Sequence, residues 1–142
     1  MKKKILFICT HNSARSQMAE GFIKYQYGEQ FEAFSAGTKP TKVNPYAIKA
    51  MSEIGIDISK HQSKSVNNFE GIEFDYIISV CDQAKESCPF FPGAKFFIHK
   101  SFEDPSSLEG TEEEIMENFR RARKEICEWI VNDFVKWNED SQ

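Results

Sequence analysis

Cys9 and Arg15 stand five residues apart near the amino terminus, in the string Cys9-Thr10-His11-Asn12-Ser13-Ala14-Arg15-Ser16-Gln17. A cysteine thiolate is a strong nucleophile, and a guanidinium is a planar, bidentate donor for an oxyanion. The polar residues between them offer a run of backbone N–H groups, with Asn12 to bridge the loop and Ser16 to hydrogen-bond the thiolate. The chemistry these residues could do is attack by a thiolate on a bound tetrahedral oxyanion. A lone Cys-x5-Arg pair is weak, since cysteine often serves only as a small hydrophobe. The whole string and its setting carry the reading.

That setting is a strand, a loop and a helix. Ile5-Leu6-Phe7-Ile8 reads as a short buried strand, and Met18, Ala19, Phe22, Ile23 and Tyr25 give a helical apolar face ending near Gly28. A loop at a helix amino terminus gathers unsatisfied N–H donors and the positive end of the helix dipole, which together attract an anion and favour a thiolate. Farther on, Phe31 to Ala36 reads as a second strand and Gly37-Thr38-Lys39-Pro40 as a turn. Asn44-Pro45 opens a helix with Ala47, Ile48, Met51 and Ile54 inward and Gly55 at its end.

Residues 56 to 68 look mostly irregular. Phe74 to Val80 is a third strand ending at Cys81, a helical turn is expected from Gln83 to Cys88, and Ala94 to His99 is a fourth strand. Thr111 with Glu114 forms a capping-box pattern before the last helix. There Ile115, Phe119, Ala122, Ile126, Trp129, Ile130, Phe134 and Trp137 recur at helical spacing. Strands alternating with helical segments predict an α/β fold, a single three-layer domain over residues 1–142 with a four-stranded parallel sheet and helices on both faces. Ligands of such sheets bind at the strands' carboxyl ends. Cys9 and Cys81 both fall there and are expected to face one pocket.

The chain has 142 residues, four cysteines and a formal net charge of -4. Acidic balance argues against nucleic-acid or membrane-surface binding. Lys2-Lys3-Lys4 precedes an apolar run too short for a signal peptide, and no stretch is long enough to span a bilayer. A cytoplasmic monomer is expected, where thiols are kept reduced. Cys81 and Cys88 are therefore read as a redox pair, with two unrelated thiols or half a zinc site as alternatives. His11, His61 and His99 lack ligand spacing, so no metal is expected. Cys127 lies beside the last helix's apolar face and is expected to be inert.

With these residues in view, Cys9 to Gln17 followed by Met18-Ala19-Glu20 resembles the anion loop and first helix of the low-molecular-weight protein tyrosine phosphatase superfamily. The chain is most similar to its thioredoxin-coupled arsenate reductase branch. Some members have glycine after the Cys-Thr pair where this chain has His11. The resemblance implies an oxyanion-binding loop of Thr10, His11, Asn12, Ser13, Ala14, Arg15 and Ser16. It implies that Cys9, Cys81 and Cys88 act in that order, with arsenate reduced to arsenite and the resulting Cys81–Cys88 disulfide returned to thiols by thioredoxin. The match of Phe102-Glu103-Asp104-Pro105 makes Asp104 the general acid, although Asp-Pro is also common at turns. Some relatives hold a potassium ion, but Lys64 falls where they carry an aspartate. No tight cation site is expected, and Asn12, Ser16, Glu20 and Ser35 are expected to support the loop by hydrogen bonds. No bound cofactor is expected, since a Gly-rich dinucleotide fingerprint is missing.

Two other functions remain open on the sequence. Cys9, Arg15 and Asp104 would suffice for a phosphatase acting on phosphotyrosine or small phosphomonoesters, and a weak side activity of that kind is expected in any case. A non-hydrolytic phosphocysteine carrier or anion-binding regulator is the third; Arg15 argues against a carrier, since it would stabilise transfer to water as well as binding.

Overall fold

The computed structural model describes residues 2–82 and 92–140. Its centre is β1 (Lys3–Cys9), whose Ile5, Leu6, Phe7 and Ile8 are all fully buried. A strand covered on both faces is uniformly apolar, as this one is, and each such side chain contributes about 1.5–3 kcal/mol by leaving water. On one side β1 pairs with β2 (Phe31–Gly37), and on the other with β3 (Phe74–Ser79), which in turn pairs with β4 (Ala94–His99). All pairings are parallel and the order is β2-β1-β3-β4. The carboxyl ends of β1 and β3 are therefore neighbours, and Val80 N donates to the Ile8 carbonyl at 2.9 Å.

Helices α1 (Arg15–Tyr27), α2 (Pro45–Ser52) and α3 (Glu112–Trp129) share the larger core with the Ile5, Phe7, Cys9, Tyr76 and Ile78 face of the sheet. A short 3-10 turn at Val66–Phe69 packs with Leu6, Ile8, Phe74 and Ile77 in a second core. Asn44 caps α2 by accepting from Tyr46 N at 2.8 Å, with Pro45 at the first helical position. The Thr111–Glu114 capping box of α3 is present in both directions, at 3.2 and 3.1 Å.

Three expectations are corrected. Helix α2 stops at Ser52 rather than near Gly55, so Ile54 leaves the inner face and is 40 % exposed. Tyr25 points to solvent because α1 docks through Met18, Ala19 and Ile23 instead. The last helix is not uniform: after Trp129 it widens into a π-helix, Ile130–Val135, and resumes as α4 (Lys136–Asp140). The widened stretch lets Phe134 and Trp137 both meet the Tyr76 ring edge-on, at 5.0 and 5.9 Å, while Asn138 accepts from the Tyr76 hydroxyl. The expected turn at Gln83 to Cys88 lies outside the described residues.

Candidate active site

The loop from Cys9 to Arg15 joins β1 to α1. Its carbonyls are turned outward: Thr10 O accepts from Lys39 N at 2.8 Å, His11 O from Thr41 N at 3.3 Å, and Ser13 O from Asn44 N at 2.9 Å. In a planar trans peptide the N–H points opposite to the carbonyl. The amides of His11 and Ala14 are thereby directed away from this outer brace and into the loop. Asn12 takes the left-handed backbone conformation, φ 49°, which asparagine tolerates. Position 11 needs no glycine, and the His11 ring donates from Nδ1 to the Lys39 carbonyl at 3.0 Å.

Gly37 closes β2 against this loop. A Cβ there would come within 2.5 Å of Thr10 O and 2.8 Å of Asn12 N, so only glycine permits the approach. Beneath the loop, Cys9 is buried and its Sγ lies 2.9 Å from Ser16 Oγ. The Ser16 oxygen also accepts from Asn12 Nδ2 at 2.8 Å. Gln17 Nε2 donates to both Asn12 oxygens, backbone and side chain, and to the Gln62 carbonyl. This buried network fixes the loop from the protein side.

Cys9, His11, Ser13, Ala14, Arg15, Thr41, Asp104 and Ser106 line a cavity of about 170 Å³, a size suited to a small oxyanion. Arg15 is 3 % exposed and donates from Nη1 to the Phe102 carbonyl at 3.1 Å. Its Nη2 lies 3.6 Å from Asp104 Oδ2. The other Asp104 oxygen accepts from Ser106 N and Oγ, at 2.9 and 2.7 Å. Asp104 thus caps the 3-10 turn Pro105–Ser107 with one oxygen and presents the other beside the arginine. A wider depression of about 790 Å³, between Lys100–Glu103 and α3, holds no cysteine among its described lining.

Glu20 and Ser35 sit one layer below. Ser35 Oγ donates to Glu20 Oε1 at 2.5 Å, Lys24 Nζ pairs with Oε2, and Lys64 Nζ lies 3.9 Å from Oε1. Burial lowers the proton affinity of Lys64, and the Glu20 carboxylate works against that by favouring its charge. Lys64 N also donates to Asn12 Oδ1, and Gly37 N to the Lys64 carbonyl, both at 2.8 Å. Asn12 contacts the loop directly; Glu20 is tied to it through Lys64. These groups do not suit a monovalent cation, because the Lys64 ammonium already faces the buried carboxylate. Among the described residues, no cluster of three or more His, Cys, Asp or Glu could hold a metal ion.

Cys81 follows β3 and is fully buried. It does not line the cavity with Cys9, contrary to the one-pocket expectation, although the two lie at the ends of adjacent strands. Cys81 is disulfide-bonded, while Cys9 and Cys127 are free thiols. Cys88 lies outside the described residues. Burial pushes the Cys127 thiol up to about 11. The outer brace through Lys39, Thr41 and Asn44, the Gln17 clamp and the close approach of Gly37 were not read from sequence. Gly37-Thr38-Lys39-Pro40 was read only as a turn, and backbone donors leave no side-chain signature.

A parallel sheet with a Cys-x5-Arg loop at a strand's carboxyl end, leading into a helix that begins at the buried arginine, is the arrangement of a thiol set in an anion-sized loop. Residues 4–132 match the family described as low molecular weight phosphotyrosine protein phosphatase, and the chain belongs to that family. It is 46% identical over 125 residues to an arsenate reductase of Halalkalibacterium halodurans, covering 88% of this chain and 90% of that one. An arsenate reductase of Bacillus subtilis is 42% identical over 127 residues, covering 89% and 91%. Among solved structures, an arsenate reductase in the phosphate binding state aligns with TM-score 0.76 and 34% identity, over 96% of this chain and 98% of that one. No helix among the described residues is long and apolar enough to cross a membrane.

Proposed function

We propose that this chain reduces arsenate to arsenite through Cys9, Cys81 and Cys88, with thioredoxin as the electron donor. The observation that carries the reading is the pairing of a free Cys9, in a cavity sized for an oxyanion, with an oxidised Cys81 at the end of the neighbouring strand. A hydrolytic phosphatase needs no second thiol. The relatives at 42–46% identity are arsenate reductases, which supports the same choice.

In the proposed cycle arsenate sits in the loop against Arg15 and the inward N–H groups. The Cys9 sulfur forms a bond to arsenic as an As–O bond breaks, and Asp104 gives the departing oxygen a proton so that it leaves as water. The Cys81 thiolate then attacks the Cys9 sulfur. A Cys9–Cys81 disulfide forms, the S–As electron pair stays on arsenic, and arsenite departs. Cys88 next attacks Cys81, releasing Cys9 as a thiol and leaving a Cys81–Cys88 disulfide. The thioredoxin dithiol reduces that bond and is itself oxidised. A cytoplasmic monomer without bound cofactor is proposed with this activity.

The second reading is phosphomonoester hydrolysis, favoured by the Cys9, Arg15 and Asp104 cavity, which contains the parts that reaction uses. Phosphate and arsenate share charge and shape, so a weak phosphatase activity accompanies the proposed one. NADPH consumption with thioredoxin and its reductase, started by arsenate, tests the choice. Turnover that requires all components and is lost in both Cys81→Ser and Cys88→Ser is expected. Hydrolysis of an aryl phosphate at equal rates in the parent and both variants, with no arsenate-driven NADPH oxidation, would overturn the relay.

A further inference from the structure

His61 stands at the far end of the buried network beneath the Cys9–Arg15 loop. It closes a turn in which His61 N donates to the Ile58 carbonyl at 3.1 Å. That turn rests on α1 where Gly21 leaves room for it: a Cβ there would come within 2.6 Å of Ile58 Cγ2. The His61 side chain is 14 % exposed, and its Nδ1 lies 3.0 Å from Gln17 Oε1. From that contact hydrogen bonds follow one another to the Cys9 sulfur: His61 to Gln17, Gln17 to Asn12 at 2.9 Å, Asn12 to Ser16 at 2.8 Å, and Ser16 to Cys9 at 2.9 Å.

Backbone groups fix the direction of these bonds. The carbonyls of Asn12 and Gln62 can only accept, so the Gln17 group 3.1 and 2.9 Å from them is its NH2, and Oε1 is left to accept from His61. Lys64 N–H can only donate, so the Asn12 atom 2.8 Å from it is the oxygen, and the Asn12 NH2 faces Ser16. Ser16 is fully buried; with Asn12 donating to its oxygen, the Cys9 sulfur is the partner left for its hydroxyl hydrogen. His61 must therefore carry a hydrogen on Nδ1. Burial lowers the proton affinity of the ring, and the Glu20 carboxylate works against that. Glu20 Oε2 lies 3.8 Å from Nδ1, beyond hydrogen-bonding reach, and is taken by Lys24. A neutral imidazole has one N–H, and here Gln17 receives it.

We propose that His61 is a positioning residue for the Cys9 nucleophile, the head of a one-way chain of donors through Gln17, Asn12 and Ser16 that ends on the sulfur. No proton is transferred along it. Each donor is polarised by the bond its own group accepts, so the bonds reinforce one another. The hydrogen that Ser16 turns to Cys9 favours a sulfur carrying negative charge over one carrying a proton. The same bonds hold Asn12 in its left-handed conformation, and with it the shape of the loop. The chain serves a Cys9 nucleophile in either reading of the activity; its use in arsenate reduction rests on the function proposed above.

The test uses reduced protein carrying Cys81→Ser, Cys88→Ser and Cys127→Ser, which leaves Cys9 as its one thiol, and follows iodoacetamide alkylation against pH. His61→Phe is expected to lower the rate at pH 7 about threefold to fivefold, the worth of one net hydrogen bond, and to move the profile to higher pH. His61→Asn, whose side-chain NH2 takes the place of Nδ1–H, restores most of the rate. Gln17→Met costs at least as much as His61→Phe, and the double variant costs no more than Gln17→Met alone, because both cut one chain. Additive losses, a loss that His61→Asn fails to recover, or a parental profile in His61→Phe would each overturn the proposal. Nitrogen NMR of the histidine-labelled parent needs no variant to fold: at pH 7 His61 should show the Nδ1–H tautomer, and the Nε2–H tautomer would reverse the first bond and break the chain. Arsenate-driven NADPH oxidation is measured beside these in protein with native cysteines. Moved profiles without turnover uphold the chain and refute the reduction; turnover in the parent with profiles that the variants leave unmoved does the reverse.

Discussion

The Arg15 guanidinium lies 3.6 Å, Nη2 to Oδ2, from the Asp104 carboxylate, and both side chains line the cavity over Cys9. The arginine is anchored from behind by the Phe102 carbonyl, so it is fixed before any anion arrives. Arg15→Lys keeps the charge but loses the fork that serves carboxylate, carbonyl and oxyanion together. Phosphate protection of Cys9 against alkylation should be lost in that variant. Asp104→Asn should keep phosphate protection while kcat falls about 10²–10⁴-fold, the range for removing a general acid. Equal loss of protection in both variants would make Asp104 a binding residue only.

Gly37 tests the outer wall of the loop. Its missing side chain leaves room for Thr10 O and Asn12 N, and Gly37→Ala must push a backbone segment aside. A cost of about 1–3 kcal/mol is expected from overpacking. Denaturant unfolding measures that cost, and phosphate protection of Cys9 should weaken in parallel. A variant of parental stability and protection would show the loop to be more compliant than its contacts imply.

Lys64 places an ammonium where a free cation would otherwise be needed beside Glu20. Turnover should accordingly be the same in potassium and in sodium salts. Lys64→Asp would set a second carboxylate against Glu20, weakening the loop, and added potassium should restore part of its activity. Stimulation of the parent protein by potassium would contradict the arrangement.

Cys127 is the thiol most easily mistaken for a reactive one. Its folded proton affinity is raised to about 11, above the ordinary value of 9.0, because burial disfavours the thiolate. The folded state therefore holds its proton where the unfolded state has lost it. Stability is unaffected by this group below pH 9 and declines as pH rises from 9 toward 11. Cys127→Ala should flatten that decline in thermal unfolding, and native protein should alkylate slowly at Cys127 at pH 7.5.

Periodicity made the four strands, the first three α-helices and the carboxyl-end location of Cys9 legible, because burial on both faces of β1 and on one face of α3 leaves a direct trace in residue type. Helix ends were less legible. Ile54 looked buried by spacing, yet α2 had already stopped. The Cys9–Ser16–Asn12 connection could be read because short polar side chains in an anion loop have few other purposes. Its long-range brace could not, since Lys39, Thr41 and Asn44 act through backbone N–H groups that every residue but proline carries. The one-pocket expectation for Cys9 and Cys81 failed for a related reason: strand order brings two positions together, but side-chain direction past a strand end depends on contacts such as that between Ser79 and Cys81.

The π-helix at Ile130–Val135 gives the molecule a hidden length marker. Such a widening is equivalent to one surplus residue in an α-helix. Phe134 within it, and Trp137 and Asn138 beyond it, are rotated to reach Tyr76 on β3 only because that residue is present. Deleting a single position there would regularise the backbone yet turn the helix tail by about 100°, carrying Asn138 off the tyrosine hydroxyl. In this chain a straighter helix would therefore be a looser clasp on the end of the sheet opposite the Cys9–Arg15 loop.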